Sequence, residues 1–180
     1  MILVADSGSS RSDWMLHLPD SKPLQFRTKG LNPFFVNEKE IASVLGQVQE
    51  IIPYIKEINE VYFFGAGCTT PDRRELVSNA LTEIFPNSFI SVESDLVGSA
   101  YATFGNNKGL ICNIGTGSDI SFYNGDTLEQ GVHGIGYVLG DEGSGAWFGK
   151  QLITAYLYEQ MPRDLMRVFK EAHPITKDII

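Results

Sequence analysis

Cysteine is scarce. There are two in 180 residues, Cys68 and Cys112, far apart and each ending or interrupting an apolar run. Such spacing indicates neither a disulfide framework nor a CxxC metal site, and a reducing, cytoplasmic setting is the expectation. Positive charge is also in short supply: 14 Lys and Arg against 22 Asp and Glu leave a formal net charge of −8. The basic residues are scattered, so neither nucleic acid nor an anionic membrane surface is expected as a partner. No apolar run reaches the length of a bilayer span, and residues 1–20 lack a basic region followed by an apolar core. Neither insertion nor secretion is therefore expected. The three histidines, His17, His133 and His173, are dispersed and suggest no metal site. What the chain does have is 43% hydrophobic residues, enough for one good core or two small ones.

The opening stretch organises the rest. Met1-Ile2-Leu3-Val4-Ala5 is an unbroken apolar run, the pattern of a strand buried on both faces, and it ends in Asp6 and a small-residue turn, Ser7-Gly8-Ser9-Ser10. Gly8 lets backbone N–H groups approach an anion, Ser9 and Ser10 add hydroxyl donors, and Asp6 at the strand tip suits a hydrated Mg²⁺. Trp14, Leu16 and Leu18 alternate with Asp13, Met15 and His17, so a second strand follows and the turn is a hairpin tip. The cluster from Pro19 to Pro23 leads to a third strand, Leu24–Thr28, and three antiparallel strands result.

Beyond an apolar loop, Lys29 to Asn37, an N-cap at Asn37 with Glu40 in the capping-box position begins a helix whose apolar positions recur from Ile41 to Ile52, with Pro53 expected to kink or end it. Val61–Gly67 is a short strand ending in glycines. Thr70-Pro71 starts a helix carried to Ile84, and Phe89–Val92 is another strand running into Glu93-Ser94-Asp95 and a helix through Leu96, Val97, Ala100 and Tyr101. Strands alternating with helices imply parallel pairing, with ligands at the carboxyl ends of the strands, where Asp6, Gly67 and Asp95 all fall. The fold class expected is α/β, with antiparallel strands 1–3 followed by parallel strands flanked by helices.

A second unit is expected after the break at Phe104–Gly109, giving domains 1–105 and 106–180. Leu110–Ile114 repeats the apolar strand, Gly115-Thr116-Gly117-Ser118 repeats the small-residue turn, Ile120–Tyr123 alternates, and Asn124-Gly125 signals a hairpin into Thr127–Val132. Two such units could set two glycine turns around one polyphosphate. Next comes a glycine-rich run with adjacent acids, Gly140-Asp141-Glu142-Gly143-Ser144-Gly145, leading into the helix Trp147–Tyr158. Folding alone explains so many glycines poorly. A further helix follows from Met161.

Taken together these residues resemble the superfamily of actin, heat-shock chaperones and sugar kinases, and within it the group of N-acetylglucosamine kinases and BadF-type ATPases. Asp6–Ser12 is similar to the first phosphate motif and Gly115–Ser118 to the second. Asp95, in Ser94-Asp95-Leu96-Val97-Gly98-Ser99-Ala100, falls where the family keeps its catalytic aspartate. Gly140–Ser144 resembles the sugar-proximal motif, and Gly30-Leu31-Asn32 the loop whose asparagine contacts the amino sugar. Ser7 stands where many relatives have glycine, and Asp119 where asparagine is common.

The resemblance implies a ribonuclease H-like, actin-like ATPase fold and transfer of the γ-phosphoryl of ATP to an amino sugar, N-acetylglucosamine first. ATP and Mg²⁺ are then the cofactors. Asp95 would be the catalytic base and Asp6 the Mg²⁺ residue acting through water. Gly8, Ser9, Ser10, Arg11, Gly115, Thr116, Gly117 and Ser118 would bind phosphate, and Asn32, Gly67, Asp95, Asp141 and Glu142 the sugar. Members of this group usually continue past the length of this chain, so a fragment of a longer kinase is expected, with a homodimer kept open. Two rivals stand beside it. One is an activator ATPase that drives a partner reductase or dehydratase through a cysteine-ligated iron–sulfur cluster, with Cys68 as a candidate ligand and Cys112 set aside as part of a buried strand. The other is a non-catalytic sugar-binding relative.

Overall fold

Alternation of side chains builds the first sheet. In β1 (Ile2–Ser7), β2 (Arg11–His17) and β3 (Leu24–Lys29), every second residue turns to the core, so Leu3, Ala5, Trp14, Leu16 and Phe26 are buried together. The computed structural model describes residues 1–129, 135–176 and 178. β1 pairs antiparallel with β2, β2 antiparallel with β3, and β1 parallel with β4 (Glu60–Gly65), which is parallel to β5 (Phe89–Ser94). The order β3-β2-β1-β4-β5 is that of a ribonuclease H-like sheet. Its core face is covered by α1 (Glu38–Gly46) and α2 (Pro71–Ile84), which contribute Ile41, Leu45, Val77, Ala80 and Leu81 to one cluster with Val61 and Phe63. Trp14 anchors it, with ring centroids 5.8 Å from both Phe26 and Phe63. Burial of each large side chain here is worth about 1.5–3 kcal/mol.

The other face differs from the expectation of a strand buried on both sides. Ile2 and Val4 of β1 remain 37% exposed, because α3 (Asp95–Phe104) lies against β4, β5 and only the margin of β1. An apolar run requires an apolar neighbour on at least one face, and here it has one. α3 follows β5 without a linking residue, buries Leu96 and Ala100, and meets Phe64 edge-on through Tyr101 at 6.0 Å.

The first helix also ends earlier than its apolar periodicity predicts. The capping box forms as read, Asn37 Oδ1 accepting from Glu40 N and Glu40 Oε2 from Asn37 N. The helix stops at Gly46, where glycine costs roughly 1 kcal/mol in a helix interior. Ile51 then reaches the core through turns, and a short 3₁₀ segment over Pro53, Ile52–Tyr54, follows it.

A second sheet has the order β6 (Gly109–Ile114), β7 (Ser118–Tyr123), β8 (Leu128–Glu129). β6 is a strand as expected, but Leu110 and Ile114 are exposed and Ile111 alone is buried, so it is not a second copy of the buried opening strand. The predicted strand to Val132 is seen as far as Glu129; Gln130 to Gly134, His133 included, lie outside the described residues. Two compact units divide the chain, Met1–Ile111 with Ser121–Gln130 and Cys112–Ile120 with Gly131–Ile180. The second contains the Gly115–Ser118 turn, α4 (Gly145–Leu157) and α5 (Arg163–Ala172), with Tyr156 and Phe169 in ring contact at 4.9 Å.

Candidate active site

Strand register sorts the carboxyl edge of the first sheet into two rows. On the open face, Arg27, Asp13, Asp6, Phe64 and Glu93 are successive cross-strand partners; on the core face the next row is Thr28, Ser12, Ser7, Gly65 and Ser94. Asp6 and Asp13 therefore share a face as direct partners. Burial, and after it the Asp13 charge, push the Asp6 carboxyl above its ordinary value of 3.8, while Arg11 pulls the other way. Asp13 is itself paired with Arg27 and lies 3.4 Å from Arg11. Asp13 escaped the sequence reading, because its proximity to Asp6 depends on a register that a turn motif does not reveal.

Asp95 stands at the start of α3, one residue beyond the end of β5, and its Oδ1 accepts the Leu96 N–H at 3.1 Å. Asp6 and Asp95 line the same cavity of about 490 Å³, walled by Phe64, Gly98, Ser99 and Tyr101. Gly98 is the reason α3 can approach. A Cβ there would sit 2.7 Å from the Phe64 ring.

The hairpin tip Gly8–Arg11 closes through Gly8 N donating to Arg11 O at 2.9 Å, leaving Ser9, Ser10 and Arg11 exposed. Asn32 is buried against it, with Nδ2 donating to Ser9 Oγ at 2.9 Å and Oδ1 accepting from Phe34 N at 2.9 Å. Gly67, at φ +84°, presses against Asn32 so closely that a Cβ would overlap its Oδ1. Five of the predicted groups thus belong to one edge of the first unit: Asp6, the Gly8–Arg11 turn, Asn32, Gly67 and Asp95.

The second unit joins the other two motifs to each other. The turn closes through Gly115 N to Gly117 O at 2.8 Å, and its carbonyls accept from the first amides of α4, Gly145 N to Gly115 O at 2.9 Å and Ala146 N to Thr116 O at 3.1 Å. Ser144 caps the helix by accepting from Trp147 N, so the first α4 amides are satisfied within the protein. Ser118 Oγ donates to Glu142 O at 2.9 Å. Asp141, left-handed at φ +62°, lies so near Gly117 that a Cβ there would be 2.9 Å from its Oδ2. Gly115–Ser118 and Asp141-Glu142, read from sequence as separate phosphate and sugar groups, form one assembly.

The cysteine expectations are reversed. Cys68 is the buried one, and Cys112 is exposed. Burial foremost, then the Asp95 charge, push the Cys68 thiol up to about 12, which holds it protonated. Among the described residues no group of three or more His, Cys, Asp or Glu could hold a metal ion, and no helix is long and apolar enough to cross a membrane.

The fold is shared with solved proteins, although no family model matches the chain. A protein of Chromobacterium violaceum provisionally described as an N-acetylglucosamine kinase superposes with TM-score 0.63 at 20% identity, over 94% of this chain and 62% of that one. A provisionally described sugar kinase of Cytophaga hutchinsonii gives 0.53 at 19%, over 89% and 62%. Both show the fold alone. The fold is therefore the ribonuclease H-like, actin-like class that the sequence motifs imply. Within it, the chain is similar to a Porphyromonas gingivalis protein provisionally described as an N-acetylglucosamine kinase, at 38% identity and TM-score 0.86 over 99% of the present sequence. The chain spans 64% of the length of that protein.

Proposed function

We propose that the protein is an ATP-dependent sugar kinase that phosphorylates a hydroxyl of an amino sugar, N-acetylglucosamine in the first instance. One observation carries the reading: Asp6 and Asp95 line a common cavity at the carboxyl edge of the sheet, with the Gly8–Arg11 turn on the same edge. The 38% identity to the P. gingivalis protein supports the same assignment.

In the proposed reaction the bond between the γ-phosphorus and the β–γ bridging oxygen breaks and a bond to the sugar oxygen forms. Most of the rate comes from placement and charge compensation. Asp95 accepts the hydrogen bond of the attacking hydroxyl and takes its proton late; a carboxylate with a reference pKa of about 4 is a weak base but an effective orienting group. Gly8, Ser9, Ser10 and Arg11 bind phosphate oxygens. Asn32 and Gly67 hold the sugar. Asp6 fits a hydrated Mg²⁺, being a hard oxygen donor with a second carboxylate, Asp13, as its direct cross-strand partner. When bound, the ion would neutralise phosphate charge.

ADP release by the full-length protein, followed over N-acetylglucosamine, N-acetylmannosamine, glucose and a no-sugar control, tests the reading. Release should require a sugar. Equal release in the no-sugar control would instead indicate an activator-type ATPase. Asp95→Asn should lower kcat by about 10²–10⁴-fold while leaving the sugar dissociation constant within a few-fold.

A further inference from the structure

The root of the hairpin tip contains two hydroxyls with no solvent exposure, Ser7 and Ser12, 2.7 Å apart and directly paired across β1 and β2. Either could donate to the other, but their outer partners fix the direction. Ser12 Oγ donates its single proton to Lys29 O at 3.2 Å, so within the pair Ser7 must be the donor. Ser7 Oγ in turn accepts from Leu31 N at 3.2 Å. The result is a directed relay, Leu31 N–H to Ser7 to Ser12 to Lys29 C=O, that leaves and returns to the same short segment. Between its two ends lies Gly30, packed so closely that a Cβ would overlap the Ser9 carbonyl, and the next residue is Asn32, bonded to Ser9 Oγ.

We propose that Ser7 is a positioning residue for nucleotide binding: through the relay it clamps the Lys29–Asn32 segment onto the Gly8–Arg11 turn and fixes the turn in its phosphate-binding shape. Ser7 itself is fully buried and touches no phosphate. Its effect runs through Gly30 and Asn32 to Ser9. The inference rests on reading that turn as a phosphate cradle, and not on the identity of the acceptor.

The test is the MgADP dissociation constant of the full-length protein, measured by calorimetry well below the melting temperature, where loss of stability alone does not change the affinity of the folded population. Ser7→Ala should weaken MgADP about tenfold, the equivalent of about 1.4 kcal/mol and within the range for a buried group left without its partner. Ser7→Thr, which keeps the hydroxyl, should stay within about threefold of wild type. Ser12→Ala should reproduce the Ser7→Ala loss, and the double variant should be no worse than either, because both break one relay. Wild-type affinity in Ser7→Ala overturns the proposal. Should that variant not fold, hydrogen exchange on the wild type decides. MgADP must slow the Leu31 amide together with those of Gly8–Arg11, and an unchanged Leu31 amide overturns the proposal. A protein that shows the Ser7 dependence yet phosphorylates no sugar loses the kinase reading and keeps this one, and one that phosphorylates a sugar with normal MgADP affinity in Ser7→Ala does the reverse.

Discussion

The two units use apolar residues with similar regularity and opposite outcome. In the first, Leu3, Trp14, Phe63, Leu81 and their neighbours are buried together, whereas in the second neither α4 nor α5 has a buried residue, and Phe148 and Val168 are 60% and 55% exposed. Yet α5 is a clearly amphipathic helix. Periodicity records which face of an element is apolar; whether that face is covered is decided by elements elsewhere in the chain. The candidate groups follow the same division: those of the first unit are placed by strand register, those of the second by hydrogen bonds between a turn and a helix start.

The comparison is tested most severely by paired truncations in this chain. Trp14→Ala should cost about 3–5 kcal/mol in urea unfolding, while Phe148→Ala should cost about 0.5 kcal/mol or less. Comparable losses would show that the second unit has a core of its own. Helix caps sharpen the contrast at a smaller scale. Asn37→Ala and Ser144→Ala should each cost about 1 kcal/mol by the same measurement, making Ser144, which is fully buried, one of the few costly single sites in the second unit. A negligible effect of Ser144→Ala would mean that the α4 amides are held by the turn carbonyls alone.

The smallest effect concerns Asp6. Its folded-state affinity for a proton is raised, so the stability it contributes is complete below the ordinary carboxylate range and is lost as pH rises through the folded value. Asp6→Asn removes that loss. The variant should melt with wild type at pH 3 and about 1–2 °C above it at pH 8, an effect limited by solvent screening, while binding MgADP less well. A gap that shrinks as pH rises would reverse the sign assigned to the burial of Asp6 and, after it, to the Asp13 charge.

Much of the first unit was legible because alternation, capping and proline positions act within a few residues. The hairpin, the capping box at Asn37 and the junction at Ser94-Asp95 were all readable in this way. The end of α1 at Gly46 was not, since the apolar pattern continues to Ile52 and tertiary packing collects Ile51 by another route. Nor was the pairing of Asp6 with Asp13, the Ser7–Ser12 relay or the exchange of roles between Cys68 and Cys112, each of which depends on which face of a strand meets which neighbour. Asp141 and Gly117 are 24 positions apart and needed the fold to bring them together.

The close contact between Gly98 and Phe64 limits how this cavity can diversify. Only a hydrogen atom fits between the α carbon of Gly98 and the Phe64 ring, so a methyl group at position 98 would force the helix that begins with Asp95, or the ring, to shift. A change in the shape of this cavity is therefore easier at Tyr101 or Ser99, which also line it, than at the Gly98–Phe64 contact.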